Sequence, residues 1–140
     1  MSTIASLPQT PRPSNEKVRA YAPGSAERAS LKAELARQSG EVVEIPCVIG
    51  GRRIFTGNTV DVTMPHNHKH VIGRVHLADE ALTKEAIASN LAAQADWAAL
   101  HWEERAAIFL RAADLLAGPW RDRLNASTML GQSKTCHQAE

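Results

Sequence analysis

Aromatic side chains make up only 4% of the 140 residues, and cysteine occurs twice. Few aromatics, with alanine abundant in the second half, argue against a β-sandwich and for helices. Cys47 and Cys136 stand far apart and neither belongs to a C-x-x-C pair. That excludes a disulfide framework and a zinc knuckle, and it fits a reducing compartment. No apolar run approaches the ~18–20 residues that a membrane span needs, and the N-terminus has no apolar secretory stretch, so a soluble cytoplasmic protein is expected. An excess of one charge is missing too: 16 Lys and Arg against 15 Asp and Glu give a net charge of +1. Neither nucleic acid nor a membrane is expected as a partner, because no basic footprint for phosphates is present.

What remains is ordinary globular material, 44% hydrophobic and 22% charged, at the length of one domain. Residues 1–24 are rich in Pro, Ser and Thr and close on Pro23-Gly24, which predicts a disordered arm ahead of an ordered unit over residues 25–140. Arg12, Lys17 and Arg19 against Glu16 raise the question of a mitochondrial presequence, but Pro8, Pro11 and Pro13 break the amphipathic helix it would need. Ser25 caps a predicted helix with Leu31 and Leu35 on one face and Gly40 as a left-handed stop. Residues 44–49 and 52–56 read as strands of a hairpin turning at Gly50-Gly51. Residues 59–63 alternate polar and apolar, and after a turn at Pro65-His66-Asn67-His68 a strand is expected over residues 70–77.

From Asp79 the period becomes helical. One helix aligns Ile87, Leu91, Ala95 and Ala98, with Trp97 at the edge. A second, from about Trp102, carries Ile108, Phe109, Ala112, Leu115 and Leu116 and stops at Gly118-Pro119. A third takes Pro119 into its first turn and aligns Trp120, Leu124, Ser127 and Leu130 before Gly131. Ile87, Leu91, Phe109, Ala112 and Leu116 are expected inside when the segment is part of a larger protein, and their faces open to water in the isolated piece. Residues 135–140 look like the first turns of another helix, a place where a natural domain rarely ends. The fold class predicted for this piece is α+β, a hairpin and extended strands followed by amphipathic helices.

Candidate chemistry is thin. His66, His68 and His70 alternate, and on one strand face they could share a metal, but the turn residues Pro65-His66-Asn67-His68 break the alternation. Cys136 and His137 are adjacent, and neighbours on a helix point about 100° apart, so they cannot form a nucleophile and base. Cys47 reads as a small buried hydrophobe in a strand. Residues 131–135 superficially echo a phosphate-binding loop, yet Thr128 and Ser133 occupy both glycine positions and a helix precedes them. Asn125-Ala126-Ser127 fits a glycosylation triplet but falls in a predicted helix. Glu103-Glu104 and Asp79-Glu80 sit at helix N-termini, where negative charge offsets the macrodipole.

Several strings nevertheless resemble the N-terminal part of aldehyde dehydrogenases. One is Arg105-Ala106-Ala107-Ile108-Phe109-Leu110-Arg111-Ala112-Ala113-Asp114. More specifically, Glu44-Ile45-Pro46-Cys47-Val48-Ile49-Gly50-Gly51, Asn67-His68-Lys69-His70-Val71-Ile72, Ala113-Asp114-Leu115-Leu116-Ala117-Gly118-Pro119 and Thr128-Met129-Leu130-Gly131-Gln132-Ser133-Lys134-Thr135 resemble the 1-pyrroline-5-carboxylate dehydrogenase branch, over about residues 18–140. Ser133 departs from the glycine that the pattern leads one to expect.

The resemblance implies an α/β fold for the full enzyme, with residues 25–140 as the N-terminal part of a cofactor-binding domain with extended strands. It also implies NAD as cofactor, a small-molecule substrate and a homo-oligomer. A cysteine thiolate would attack the aldehyde of L-glutamate γ-semialdehyde, hydride would pass to NAD, and water would release glutamate in proline degradation. The nucleophile, the general base and the nucleotide-binding segments of that family lie downstream, so no catalytic, cofactor-binding or metal residue is assigned here. Two other readings stay open: an aldehyde dehydrogenase of another substrate class, and a free-standing, non-catalytic helical interaction module.

Overall fold

The structure, a computed structural model, describes Arg12 and residues 14–140. The disordered arm expected at residues 1–24 lies outside the described residues at 1–11 and 13. Its last part is described, and there the expectation that order begins at Ser25 is corrected: Tyr21 is buried at 4% exposure and joins Leu31 and Ala126 in the core.

Helix α1 (Ala26–Ser39) starts where Ser25 Oγ accepts the Arg28 N–H at 3.3 Å. Leu31 and Leu35 face the core as their spacing predicts. Its stop differs: Gly40 has φ −87°, so it ends the helix in right-handed backbone, its N–H bonded to Ala36 and Arg37 carbonyls.

The strand predicted over residues 44–49 is two strands. β1 (Val43–Ile45) pairs in parallel with the long central strand β5 (Asn67–His76), whereas β2 (Cys47–Ile49) pairs antiparallel with β3 (Arg52–Ile54). Pro46 lies between them and has no N–H to donate to a ladder, so the chain changes partner there. The predicted hairpin turn stands: Gly50 and Gly51 have φ +56° and +76°, the mirror-image turn that matches strand twist. β4 (Thr59–Met64) pairs antiparallel with β5, and the sheet order is β1-β5-β4. The turn between them is shorter than expected, Pro65 and His66 only, because register shifts near Thr63 absorb the slack and let β5 begin at Asn67. Gly73 lets β1 approach: a Cβ there would lie 3.1 Å from the Val43 carbonyl oxygen.

Helix α2 (Glu80–Ala99) is capped by Asp79 Oδ1 accepting the Leu82 N–H at 2.8 Å. It meets the hairpin where Ser89 Oγ lies beside Gly50 and Arg52 pairs with Glu85, and Leu82, Ala86 and Ser89 are half-buried. Helix α3 (Trp102–Ala117) begins with Glu104 accepting the His101 N–H at 3.2 Å. Ile87, Leu91, Phe109, Ala112 and Leu116, expected inside only within a larger protein, are all exposed in this chain, Phe109 at 67%. Nothing among the described residues covers that face.

Helix α4 (Arg121–Gln132) packs on α1, but by a different face from the one predicted. Arg121, Asn125 and Ala126 are buried, while Trp120 and Leu124 are exposed. Pro119 stays in the preceding turn, and the helix runs past Gly131 to stop at Ser133, whose φ of +54° is left-handed. Helix α5 (Cys136–Ala139) follows, with Gln138 Oε1 accepting the Thr135 N–H at 2.9 Å.

Candidate functional site

Two polar clusters are built into the described residues. In the first, the Glu140 carboxylate accepts the Arg19 N–H at 2.9 Å, the Tyr21 hydroxyl at 2.5 Å, Asn125 Nδ2 at 2.8 Å and the Arg121 guanidinium. Arg121 also donates to the Lys17 carbonyl at 2.7 Å, and Arg19 pairs with Asp122 at 2.6 Å. Burial alone would raise the Glu140 carboxyl; the hydrogen bonds from Tyr21, the Arg19 N–H, Arg121 and Asn125 outweigh it and bring the pKa down to about 2. The Tyr21 hydroxyl is pushed up, by burial first and then by its bond to Glu140. A carboxylate so fully saturated and so low in pKa is held as an anion and cannot serve as a general base near neutrality.

The second cluster joins β1, β2 and β5. Gly57 N–H donates to His76 Nδ1 at 3.1 Å, which assigns the ring proton to Nε2, facing Glu44 Oε2 at 3.1 Å. Phe55 stacks edge-on against the ring, with centroids 5.2 Å apart. Cys47 is close, but its Sγ donates to the His76 main-chain carbonyl at 3.2 Å, not to the ring. The trio of Cys, His and Glu is therefore a knot of main-chain and side-chain bonds, without the thiol-to-imidazole contact that nucleophilic catalysis needs.

The residues singled out in the sequence are scattered. His66 Nδ1 meets Ser133 Oγ at 2.7 Å, and His70 Nε2 meets the Ser39 carbonyl at 2.7 Å, so the two rings serve different partners. Among the described residues no three His, Cys, Asp or Glu side chains gather as metal ligands. Cys136 packs half-buried against the core and His137 lies edge-on to Tyr21 at 6.1 Å. Asn125, first residue of the glycosylation triplet, is 6% exposed and spends its amide on Tyr21 and Glu140. Residues 131–135 run from a helix end through left-handed Ser133 into the capped start of α5. No helix of the described residues is long and apolar enough to cross a membrane.

Sequence reasoning missed Tyr21, Arg121, Asn125 and Glu140. Two signals pointed to them. Tyr21 is the chain's single tyrosine, set in a leader rich in Pro, Ser and Thr, and Arg121 and Asn125 stand four apart on one helical face.

Residues 55–140 match the model of the aldehyde dehydrogenase family. The chain is 44% identical over 93% of its length to "Delta-1-pyrroline-5-carboxylate dehydrogenase" of Agaricus bisporus, and 41% identical over 90% of its length to the human "Delta-1-pyrroline-5-carboxylate dehydrogenase, mitochondrial". It spans 24% and 22% of those proteins, about a quarter of the relatives it matches. Among solved structures it resembles the Delta-pyrroline-5-carboxylate dehydrogenase from Mycobacterium tuberculosis bound with NAD and cobalamin. That similarity has a TM-score of 0.93 and 48% identity, over 96% of this chain and 25% of that one.

Proposed function

The chain belongs to the aldehyde dehydrogenase family, and from that premise we propose that it is the N-terminal part of an NAD-dependent dehydrogenase that oxidises L-glutamate γ-semialdehyde, the open form of 1-pyrroline-5-carboxylate, to L-glutamate in proline degradation. The observation that carries this reading is the likeness to the Mycobacterium tuberculosis enzyme, 48% identical with a TM-score of 0.93 over nearly the whole segment.

The residues present do not fit a dinucleotide cradle. The turn ahead of α5 carries Ser133 in place of a glycine, a helix precedes it, and the Thr135 N–H is already taken by Gln138. Neither cysteine faces a base or a set of oxyanion donors. In this reading NAD and every reacting atom belong to the rest of the enzyme, and residues 1–140 supply framework. Helices α2 and α3 present Ile87, Leu91, Phe109 and Leu116 to be covered by that remainder, since an apolar face of this kind is not left in water by a finished monomer. The proposed assembly is a homo-oligomer without nucleic acid or membrane partners. The proposed compartment is the cytoplasm, where Cys47 and Cys136 stay reduced.

The complete protein carrying this segment tests the substrate. NADH formation with L-glutamate γ-semialdehyde is expected to exceed that with simple aliphatic aldehydes by a wide margin in kcat/KM. Equal or better turnover of the simple aldehydes would move the protein to another substrate class within the family.

A further inference from the structure

We propose that residues 17–21 form a strap that Glu140 clasps against α4 and α5, and that this strap opens without unfolding the helices beneath it.

The strap has no secondary structure of its own; the buried Tyr21 ring anchors it beside Leu31 and Ala126, the Arg28 guanidinium donates to the Tyr21 carbonyl at 3.4 Å, and the rest of its hold is a short set of polar bonds. Arg19 gives its main-chain N–H to Glu140 at 2.9 Å and its guanidinium to Asp122 at 2.6 Å. The Lys17 carbonyl takes an N–H from Arg121 at 2.7 Å, and Tyr21 gives its hydroxyl to Glu140 at 2.5 Å. Each group that reaches Glu140 is a donor, so the clasp requires an acceptor with no proton of its own. An amide at position 140 would aim an N–H into a ring of N–H and O–H groups and leave it unpaired.

The clasp works against a strained residue. Tyr21 has φ +48°, in the left-handed region that a bulky side chain avoids. Such a conformation persists only where its surroundings over-determine it, and here the buried ring, the Arg28 bond to the Tyr21 carbonyl and the hydroxyl's bonds with Asn125 and Glu140 do so. Releasing Glu140 lets the backbone at Tyr21 relax, so strain favours opening.

The helices below have their own attachments. Leu31, Leu35, Ala126 and Met129 pack between α1 and α4. Ser30 donates to Asp122 at 2.6 Å, and Gln38 bonds the Arg123 carbonyl and the Ser127 hydroxyl, each at 2.8 Å. None of these bonds uses the strap. Opening would therefore withdraw the Tyr21 ring from Leu31 and Ala126, uncover Arg121 and Asn125 and loosen α5, while the direct α1 and α4 contacts keep that pair closed.

Native-state hydrogen exchange of the complete protein tests this, with the Arg19 amide as reporter because Glu140 is its acceptor. Tyr21→Phe keeps the ring and deletes one bond of the clasp, and it is expected to speed exchange at Arg19 by roughly tenfold, with the Leu31 and Ala126 amides unchanged. Glu140→Gln is expected to speed Arg19 further and still leave those two amides slow. An Arg19 amide that exchanges freely in the unaltered protein would overturn the proposal. So would Arg19 and Ala126 amides that accelerate together in Tyr21→Phe, or a Tyr21→Phe protein with unchanged exchange at Arg19. If Glu140→Gln fails to fold, Tyr21→Phe alone decides the outcome.

Discussion

A buried carboxylate that accepts hydrogen bonds from Tyr21, Arg121, Asn125 and the Arg19 main chain is stable only as the anion. Its folded pKa of about 2 lies below the ordinary 4.5, so the unfolded chain binds the proton first as pH falls. Glu34, hydrogen-bonded first by Arg37 and then by Gln38, is also brought down to about 2. The stability these two groups contribute is complete above about pH 4.5 and is lost as the pH drops toward about 2. Urea midpoints of the complete protein between pH 5 and pH 2.5 should fall more steeply than those of an Arg121→Ala variant, in which Glu140 has lost one of the donors that hold its pKa down. That variant, which leaves the Glu140 charge buried without its cation, should lose about 3–5 kcal/mol at neutral pH. A loss below about 1 kcal/mol, the scale of an exposed pair, would show that the cluster is hydrated. At Ser133 the departure from the expected glycine coincides with φ +54°, and the His66 contact at 2.7 Å offsets part of that strain. Ser133→Ala keeps the strain and deletes the bond, so thermal denaturation should show a loss of about 0.5–1.5 kcal/mol. Ser133→Gly should be the more stable of the two.

At the scale of elements, Gly73 and Pro46 decide the sheet. With 3.1 Å between a Cβ at position 73 and the Val43 carbonyl, Gly73→Ala must push β1 away from β5, at a cost of about 1–3 kcal/mol in urea unfolding. No change in midpoint would mean that β1 is not fixed by that approach. The helices and the Gly50-Gly51 hairpin were legible because their signals are local: Ser25 and Asp79 as caps, a 3.6-residue period, and two glycines at positive φ. The split at Pro46 was not, because β1 finds its partner in β5, far along the chain, and a parallel pairing leaves no short-range signature. The face of α4 was misread for a related reason. Arg121 and Asn125 look like surface residues until Glu140 and Tyr21, distant in sequence, arrive to satisfy them. The second cluster was equally hidden, since Glu44, Gly57 and His76 belong to different segments and meet only when the sheet forms.

The molecule as a whole is uneven: one part packs Tyr21, Leu31 and Ala126 into a small core, while α2 and α3 hold Ile87, Leu91, Phe109 and Leu116 out to solvent. If the remainder of a larger enzyme covers that face, Phe109→Ala should cost roughly 3–5 kcal/mol in the complete protein. In residues 1–140 alone the same change should cost under about 1 kcal/mol, because Phe109 is already 67% exposed there. Equal losses in the two settings would mean that the face is never covered. Paired calorimetric titrations with NAD test whether this segment is framework for a dehydrogenase whose chemistry lies elsewhere. Residues 1–140 and the complete protein would be titrated side by side, each preparation shown to be free of the other. Saturable binding by the complete protein and no heat of binding from residues 1–140 are expected. Saturable NAD binding by residues 1–140, or none by the complete protein, would contradict the framework role.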